Sequence, residues 1–366
     1  MTSSNEVILA AAGSGKTRRL IVEALNAPGE RVLVTTYTRE NMEEIRRRLW
    51  SASNGVPHAV STKTWFEFLL QDAIKPYQSY KTDILRVQSI DFVTAKPMYK
   101  RKEDFESYYL DSANNVYSDT ASDLACVLND VSGGKVVHRL EQLYDAILID
   151  EMQDLAGWDL NFVELLLKSR LRVLLVGDPR QAVYSTNRSN KNSQYKNAGV
   201  VHWIDKLEHA GLCTRSELAV SYRCSQAICD FADALFPTLP STRSAHHSST
   251  MSSGVHLVKP YDVPRYEEIF HPQSLRWDRR NKASGPNALN FGDVKGREFP
   301  RVLVHPTGAI RKYLERGESL EGVALTKFYV AITRASDSVG IVTDKAAASQ
   351  SLDFWSPDSI GLGSAT

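Results

Sequence analysis

The segment that most constrains this chain is a glycine-containing loop at residues 10–17, Ala-Ala-Ala-Gly-Ser-Gly-Lys-Thr. It follows an apolar run at residues 7–9, which predicts a buried strand, and precedes residues 18–25, whose pattern predicts a helix. Backbone N–H groups of such a loop converge on phosphate oxygens, and the helix N-terminus adds partial positive charge. We therefore expect a phosphate-binding loop formed by Ala12, Gly13, Ser14, Gly15, Lys16 and Thr17.

Two of these residues have a predicted chemical role. Lys16 should reach the β- and γ-phosphates of a nucleotide, and the Thr17 hydroxyl should ligate Mg²⁺. The first position of the pattern holds Ala10 instead of glycine. The alternative interpretation is a glycine- and serine-containing turn that happens to precede Lys-Thr, but the flanking strand and helix favour the phosphate loop.

The chain then alternates between strand and helix patterns. Residues 31–38 and 59–62 are β-rich, while residues 40–49 and 63–71 have apolar side chains at helical spacing. This alternation predicts an α/β fold with a doubly wound parallel sheet. Residues 76–137 lose the rhythm and are interpreted as a mostly helical insertion. Its basic cluster at residues 99–102 is either a solvated face or a phosphate contact.

Two later strands end in polar residues. The apolar run at residues 146–149 precedes Asp150 and Glu151, and the run at residues 173–176 leads to Gly177, Asp178 and Gln181. Ligands of open α/β sheets lie at the carboxyl ends of the strands. We expect Asp150 to hold Mg²⁺ and Glu151 to act as the base that polarises the attacking water, as in the second half of an ATPase site.

Composition excludes several other classes. At 366 residues the chain fits two or three domains, and its net charge of +1 requires any nucleic-acid surface to be a local patch. The four cysteines lack metal-binding spacing and suit a reducing compartment. No signal peptide or membrane span is apparent, so a cytoplasmic protein without a membrane partner is expected.

The order of these segments resembles that of superfamily 1 helicases of the UvrD/Rep type, with some details of the RecB-type branch. The resemblance covers most of the chain and lies in residues 10–17, 34–38, 61–62, 150–154, 177–185, 221–223, 295–299 and 329–335. It implies two RecA-like P-loop lobes with parallel sheets, the second of which carries a reduced insertion. It also implies an ATP hydrolase that acts on DNA.

The resemblance assigns further roles. In the ATP site, Gln181 would sense the γ-phosphate, Arg223 would contact it, and Arg334 would be the arginine finger of the second lobe. Arg18 and Tyr222 would stack on adenine, and Glu298 would hold the ribose. ATP would favour a closed arrangement of the lobes, and hydrolysis would release it. The predicted contacts with single-stranded DNA in these motifs are Tyr37, Thr62 and Tyr184.

Several positions depart from the family pattern. Only six residues precede Val7, so the family's adenine-reading glutamine segment is expected to be missing. Thr186 stands where the family has a base-stacking tryptophan. Phe291 could replace that platform, although core packing is the alternative. Trp277, in the basic segment 275–282, is a further DNA-contact candidate or part of an exposed salt-bridged loop.

The predicted domains follow these motifs. We assign residues 1–75 and 138–215 to the first lobe, 76–137 to its insertion, and 216–238 and 286–345 to the second lobe. Residues 239–285, which include a serine-rich run, are predicted as a reduced insertion or linker, and residues 346–366 as a tail docked through Phe354 and Trp355.

Two functional hypotheses remain. The first is an ATP-dependent translocase or helicase on single-stranded DNA, with 3′-to-5′ polarity implied by the resemblance alone. The second is a DNA-stimulated ATPase subunit that senses or remodels DNA for a partner nuclease and unwinds weakly by itself.

Overall fold

The computed structural model describes residues 5–26, 29–53, 55, 57–83, 86–97, 99–183, 189–247, 253–281, 285–345, 348 and 352–356. The chain divides into two compact units. The first contains the chain up to residue 9 and residues 16–217, and the second contains residues 10–15 and the chain from residue 218 onward. The predicted lobe boundary at residues 215–216 lies close to this division.

Strands and helices alternate along the first unit. In chain order they are β1 (Glu6–Ala10), α1 (Lys16–Leu25), β2 (Val32–Thr36), α2 (Arg39–Ser53), β3 (Val60–Thr64), α3 (Trp65–Phe68), β4 (Ile90–Asp91), α4 (Phe105–Tyr109), β5 (Val116–Tyr117), α5 (Ala121–Val131), α6 (Lys135–Leu143), β6 (Ala146–Ile149), α7 (Trp158–Leu167), β7 (Arg172–Gly177), α8 (Val200–His209) and β8 (Thr214–Leu218).

The main sheet of this unit has the strand order β3-β2-β6-β7-β1-β8. The pairs β3–β2, β2–β6, β6–β7 and β7–β1 are parallel. Strands β2 and β6 are buried along their whole length, which explains the apolar sequence of β6 and the three apolar residues that begin β2. The expected α/β fold with parallel sheets is confirmed, and β7 lies between the strand of the glycine loop and the strand of the carboxylates.

The segment predicted as a helical insertion contains α4, α5 and the start of α6, together with the short parallel pair β4–β5. A π-helical turn, Leu69–Ile74, and a 3₁₀ turn, Lys75–Tyr80, lead into it. Buried side chains of α5, among them Leu124 and Leu128, join the same apolar core as Phe68 and Phe162. The insertion therefore shares one core with the main sheet of the first unit.

The second unit is built on another parallel sheet. Its elements are β9 (Val220–Ser221), α9 (Gln226–Asp233), β10 (Arg243–Ser244), β11 (Gly254–Val258), α10 (Val263–Phe270), β12 (Gln273–Arg276), β13 (Leu289–Asn290), β14 (Phe299–Val304), α11 (Gly308–Arg316), α12 (Gly322–Ile332) and β15 (Ala335–Val342). The order of the five-stranded sheet is β11-β15-β14-β12-β13, and every neighbouring pair is parallel.

This sheet corrects the prediction for residues 239–285. The segment was expected to be a linker or reduced insertion, but β11 forms one edge of the sheet and β12 pairs with both β14 and β13. Both strands are short, and β11 lies next to a serine-rich run that obscures its apolar pattern. Burial of Leu257 and Leu275 against the rest of the sheet stabilises strands that sequence periodicity alone does not reveal.

The tail docks on the second unit as expected. The backbone of Leu257 exchanges hydrogen bonds with Asp353 and Trp355, at 3.0 and 2.8 Å. The Trp355 ring is buried and packs edge-on against Tyr266, with ring centroids 5.1 Å apart. Among the described helices of both units, none has the length and apolar character that a bilayer crossing requires.

We expect Trp355→Ala to lower the free energy of unfolding by about 3–5 kcal/mol, because it removes a buried aromatic side chain and leaves a cavity beside Tyr266. Denaturant unfolding monitored by circular dichroism measures the change. Tyr261→Ala is the matched control, since Tyr261 is an exposed aromatic of the same unit and its loss should cost less than about 0.5 kcal/mol. Equal losses for the two variants would contradict the docking of the tail.

Candidate active site

Four of the residues predicted to carry catalysis or metal binding meet at the edge of the first sheet. Helix α1 begins at Lys16, whose Nζ lies 2.8 Å from Oε1 of Glu151. The hydroxyl of Thr17 donates a hydrogen bond of 3.1 Å to Oδ2 of Asp150. Both carboxylates directly follow β6. The structure thus joins the start of the helix after the glycine loop to the acidic end of a buried strand.

Asp150 is held in an environment that disfavours its charge. Burial, followed by the adjacent Glu151 carboxylate, raises the pKa of Asp150 to about 6, while Lys16 and the Thr17 hydroxyl act in the opposite direction. A bound divalent cation would reverse this balance, because it stabilises the ionised carboxylate. The pair Thr17 and Asp150 therefore fits Mg²⁺, which commonly takes one or two protein oxygens and keeps several waters.

The backbone of Glu151 is strained. Its φ of 56° lies in the left-handed region, which non-glycine residues rarely adopt. The Glu151 N–H donates a 2.9 Å hydrogen bond to Oδ1 of Asp150, which helps to hold this turn. Strain of this kind costs about 1–3 kcal/mol and collects at functional sites. It directs the Glu151 side chain toward Lys16 immediately after the strand ends.

A residue outside the predicted site set, Gln153, connects its parts. Its Nε2 donates to Oε2 of Glu151, and its Oε1 accepts a 3.0 Å hydrogen bond from the N–H of Asp178. Asp178 in turn accepts a 2.8 Å hydrogen bond from Nε2 of Gln181. A polar chain therefore runs from Lys16 to Gln181. The sequence signal for Gln153 is its spacing, two residues after the glutamate and in the same motif.

Gly177 leaves the space that these hydrogen bonds of Gln153 require. A Cβ at this position would lie 2.7 Å from Cγ of Met152 and 3.0 Å from its backbone N, and would also overlap Oε1 of Gln153. Real Cβ atoms do not approach other atoms this closely, so only glycine lets β7 end against the Gln153 amide.

The glycine loop itself belongs to the second unit. The Ala11 N–H donates to the carbonyl of Leu218 at 2.9 Å, and the carbonyl of Gly13 accepts from the Tyr222 N–H at 3.0 Å. Gly13 and Gly15 have φ values of 72° and 79°. The buried hydroxyl of Ser14 has no hydrogen-bond partner within the described chain. Left-handed glycines and an unpaired buried hydroxyl fit a loop that binds phosphate oxygens.

The predicted residues of the second unit form their own cluster. A guanidinium nitrogen of Arg223 pairs with Oε1 of Glu298, and its Nη1 donates to the carbonyl of Thr333 at 3.3 Å. Arg334 is buried and donates to the carbonyl oxygens of Val330 and Arg297, at 3.2 and 3.4 Å. The structure thus places Arg223, Glu298 and Arg334 around one turn.

Both predicted adenine-stacking residues are exposed. Arg18 lies on the solvent side of α1 in the first unit, and the Tyr222 ring in the second unit is 66% exposed. Each therefore offers an accessible face to a base.

The predicted nucleic-acid contacts have different environments. The Tyr37 ring lies 5.5 Å from that of Phe66, in a surface groove of about 510 Å³ that also includes Phe92. The Thr62 hydroxyl accepts a 2.9 Å hydrogen bond from Arg46. Trp277 is half-buried, with Nζ of Lys327 4.2 Å from its ring centroid.

Two further predicted nucleic-acid contacts, Phe291 and Tyr184, have a different outcome. Phe291 is fully buried and packs edge-on against Trp277, so it has no free face, and we remove it from the predicted stacking platforms. The core-packing alternative describes it correctly. Tyr184 and Thr186 lie outside the described residues.

Cys126, Cys213, Cys224 and Cys229 are free thiols, and burial raises the pKa of Cys213 to about 11 and that of Cys229 to about 12. In the described part of the chain, no group of three or more His, Cys, Asp or Glu side chains is arranged to hold a metal ion.

A parallel sheet, a glycine loop that opens a helix and two strand-end carboxylates define a P-loop nucleotide-binding core. Comparison with protein-family models is consistent with this class. An AAA domain model matches residues 1–187, and the model of the viral superfamily 1 RNA helicase core domain matches residues 130–343. Each match covers more than half of the chain, so the chain belongs to the superfamily 1 helicase core family.

Solved structures of viral helicases are similar at low identity. Arterivirus nonstructural protein 10 (helicase) is 16% identical, with a TM-score of 0.49 over 93% of this chain and 60% of that chain. The complex of that helicase with DNA is 17% identical, with a TM-score of 0.48 over 94% of this chain and 62% of that chain. The PRRSV helicase is 15% identical, with a TM-score of 0.44 over 93% of this chain and 52% of that chain. This chain thus spans about half to three fifths of those proteins. The comparison with curated proteins found no match.

We expect Gly177→Ala to reduce kcat for ATP hydrolysis by about 10- to 100-fold, because the added methyl group displaces Gln153 from Glu151 and Asp178. Steady-state ATPase assays measure this, beside denaturant unfolding, where a loss of about 1–3 kcal/mol is expected. Gly308→Ala is the control: it lies at the start of α11 with open space around it and should be neutral or slightly stabilising. An unchanged kcat in Gly177→Ala would show that the Gln153 bridge does not position the base.

Proposed function

We propose that the chain hydrolyses ATP and uses the reaction to move along single-stranded nucleic acid, with the 3′-to-5′ polarity that the UvrD/Rep-type resemblance predicts. The observation that carries the proposal is the continuous polar chain from Lys16 through Glu151 and Gln153 to Asp178 and Gln181. It links the phosphate loop, the base and the predicted γ-phosphate sensor, which is the connection that an ATP-driven motor requires.

In this proposal different residues bind the phosphates, hold the metal ion and accept the proton. The N–H groups of residues 12–15 and the Lys16 ammonium bind the phosphates. Thr17 and Asp150 would hold Mg²⁺, which would supply further positive charge to the site. The Glu151 carboxylate accepts the proton of the attacking water, with the Gln153 amide fixing its orientation.

The ion pair between Lys16 and Glu151 suggests how binding prepares the base. Lys16 can either neutralise Glu151, as in this structure, or bind phosphate oxygens. When Lys16 turns to the nucleotide, Glu151 keeps its hydrogen bond to Gln153 and becomes available to water. Binding of substrate and activation of the base are then one event.

Residues of the second unit are proposed to complete the site. Arg223 and Arg334 would stabilise charge on the transferred phosphoryl group, Glu298 would hold the ribose, and Arg18 and Tyr222 would stack on the base. In this structure Arg223 is paired with Glu298, so contact with a nucleotide would require this pair to open. Opening of this ion pair would make the second unit responsive to nucleotide binding.

Single-stranded DNA is the proposed track, bound through Tyr37, Thr62, Tyr184 and Trp277. The matching family model is named for RNA helicases, so RNA of the same sequence is the necessary comparison. Aromatic stacking tolerates both, because every base has a π face.

A second candidate has one specific observation in its favour. Phe291, the predicted replacement for the missing stacking tryptophan, is buried. Fewer stacking platforms favour the DNA-stimulated ATPase that remodels DNA for a partner nuclease and separates strands weakly by itself.

Glu151→Gln should abolish the nucleic-acid-stimulated ATPase, with a fall in kcat of about 10²- to 10⁴-fold, since the amide cannot accept the proton of water. ATPase rates with and without single-stranded DNA or RNA, beside binding of a fluorescent ATP analogue, separate chemistry from affinity. Glu103→Gln, an exposed carboxylate of the insertion, is the control and should retain the wild-type rate. An ATPase rate that neither single-stranded DNA nor RNA increases would refute the motor proposal.

Strand separation distinguishes the two candidates. A motor with the proposed polarity should unwind duplexes that carry a 3′ single-stranded tail and leave duplexes with a 5′ tail intact, because it must load on the tail and move toward the junction. The readout is release of a fluorophore-labelled strand in the presence of ATP. Robust stimulation of ATP hydrolysis without release from either substrate would favour the remodelling subunit, and unwinding from the 5′ tail alone would reverse the polarity.

A further inference from the structure

Five residues of the first unit form a row in which lysines and aromatic rings alternate. We call Lys96, Tyr108, Lys102, Trp158 and Lys191 the lysine–aromatic row. Nζ of Lys96 lies 3.7 Å from the Tyr108 ring centroid, and Nζ of Lys102 lies 5.9 Å from the same centroid. The Trp158 ring lies 4.5 Å from Nζ of Lys102 and 4.9 Å from Nζ of Lys191.

The row joins three separate parts of the sequence. Lys96 and Lys102 lie in the insertion, and Lys102 is the last residue of the basic cluster that the sequence leaves open between a solvated face and a phosphate contact. Trp158 begins α7, shortly after the two strand-end carboxylates, and Lys191 follows the segment 177–185 in the sequence. Tertiary folding has therefore collected cations and rings that are distant in the chain.

The charges of the row are only partly compensated. Lys102 reaches the buried carboxylate of Asp123, at 2.7 Å from Oδ2, and Tyr109 donates a 3.2 Å hydrogen bond to the same oxygen. For the side chains of Lys96 and Lys191, the contacts that the structure describes are with aromatic rings. In the described part of the chain, the ion pair of the three lysines is the one between Lys102 and Asp123, which leaves an excess of positive charge in the row.

The surroundings of Lys96 disfavour the charged form of its side chain. Burial, with a smaller contribution from Lys102, lowers the pKa of Lys96 from its ordinary value, although Asp123 acts in the opposite direction. Like charges gathered on partly buried rings are more easily explained by an anionic ligand than by folding. Interleaved lysines and aromatic rings are also the pattern with which proteins bind single-stranded nucleic acid.

We propose that the lysine–aromatic row is a nucleic-acid subsite: Lys96 and Lys191 bind phosphates of a single strand, and the rings of Trp158 and Tyr108 stack on its bases. The inference rests on the proposed function and names a part of the track that the helicase motifs do not include. The lysine ammoniums would leave the ring faces for phosphate oxygens, and the half-buried rings would take the bases. Lys102 would remain on Asp123 and hold the two rings together.

The test replaces Lys96 and Lys191, whose described side-chain contacts are with rings and not with the Asp123 carboxylate. Lys96→Gln/Lys191→Gln should weaken binding of fluorescein-labelled oligothymidylate about tenfold at 50 mM salt. It should also reduce the slope of log K against log salt concentration by about 0.7 per lost phosphate contact, or about 1.4 in total. Fluorescence anisotropy between about 50 and 200 mM salt measures both, and oligouridylate of equal length tests whether a single strand of RNA is bound as well.

A charge-matched control separates a local subsite from a general electrostatic effect. Lys168→Gln/Lys345→Gln removes the same charge from exposed positions outside the row and should keep the wild-type salt slope. Trp158→Leu should weaken binding about tenfold, whereas Trp158→Phe, which keeps an aromatic face, should retain most of the affinity.

The row could instead only fasten the insertion to α7. In that case Lys96→Gln/Lys191→Gln would lower the unfolding midpoint but leave the salt slope of binding unchanged, and the subsite would be refuted. An equal change of slope in the control pair would refute it as well. Wild-type protein that binds neither oligonucleotide would overturn both this inference and the proposed function, whereas wild-type binding with unaffected row variants would overturn the inference alone.

Discussion

The ion pair between Lys16 and Glu151 is the interaction on which the candidate active site depends. Two adjacent carboxylates at the end of a buried strand repel each other and lose hydration, as the raised pKa of Asp150 shows. Lys16 compensates Glu151, and Thr17 donates to Asp150, so both compensating groups come from the first turn of one helix. A nucleotide with its metal ion provides the same compensation from outside, which would let the helix exchange its partners without leaving a buried charge unpaired.

Strand order explains how this pair can influence a distant residue. Because β7 lies between β1 and β6, the segments that follow the three strands emerge side by side. Gln153 bridges the space between Glu151 and the Asp178 backbone, and Gly177 leaves room for it. Glu151 is therefore linked, through this amide, to the segment that carries Gln181. The link consists of buried hydrogen bonds, which are electrostatically stronger in the low-dielectric interior than in water.

Local patterns explain which features the sequence could predict. The glycine loop, the acidic strand end and the apolar strands each depend on neighbouring residues, so the parallel α/β fold and the pairing of Lys16 and Thr17 with the carboxylates could be anticipated. Features set by tertiary packing could not. Gln153 gains its role only when β7 lies against the turn after β6, and β11 and β12 become strands only through their neighbours in the second sheet. The Phe291 ring could belong equally to a core or a platform until its burial was known.

The lysine–aromatic row, which includes Lys102 of the basic cluster, shows the same limit of sequence-based prediction. Charge alone could not decide between a solvated face and a phosphate contact, because lysines serve both purposes. The structure shows that Lys102 is anchored on a buried carboxylate while Lys96 and Lys191 rest on rings. A lysine on a ring has exchanged only part of its hydration for a weak attraction and can be released to a phosphate at little cost. The anchored lysine organises the rings, and the other two remain available, which is the division of roles that a strand-binding surface needs.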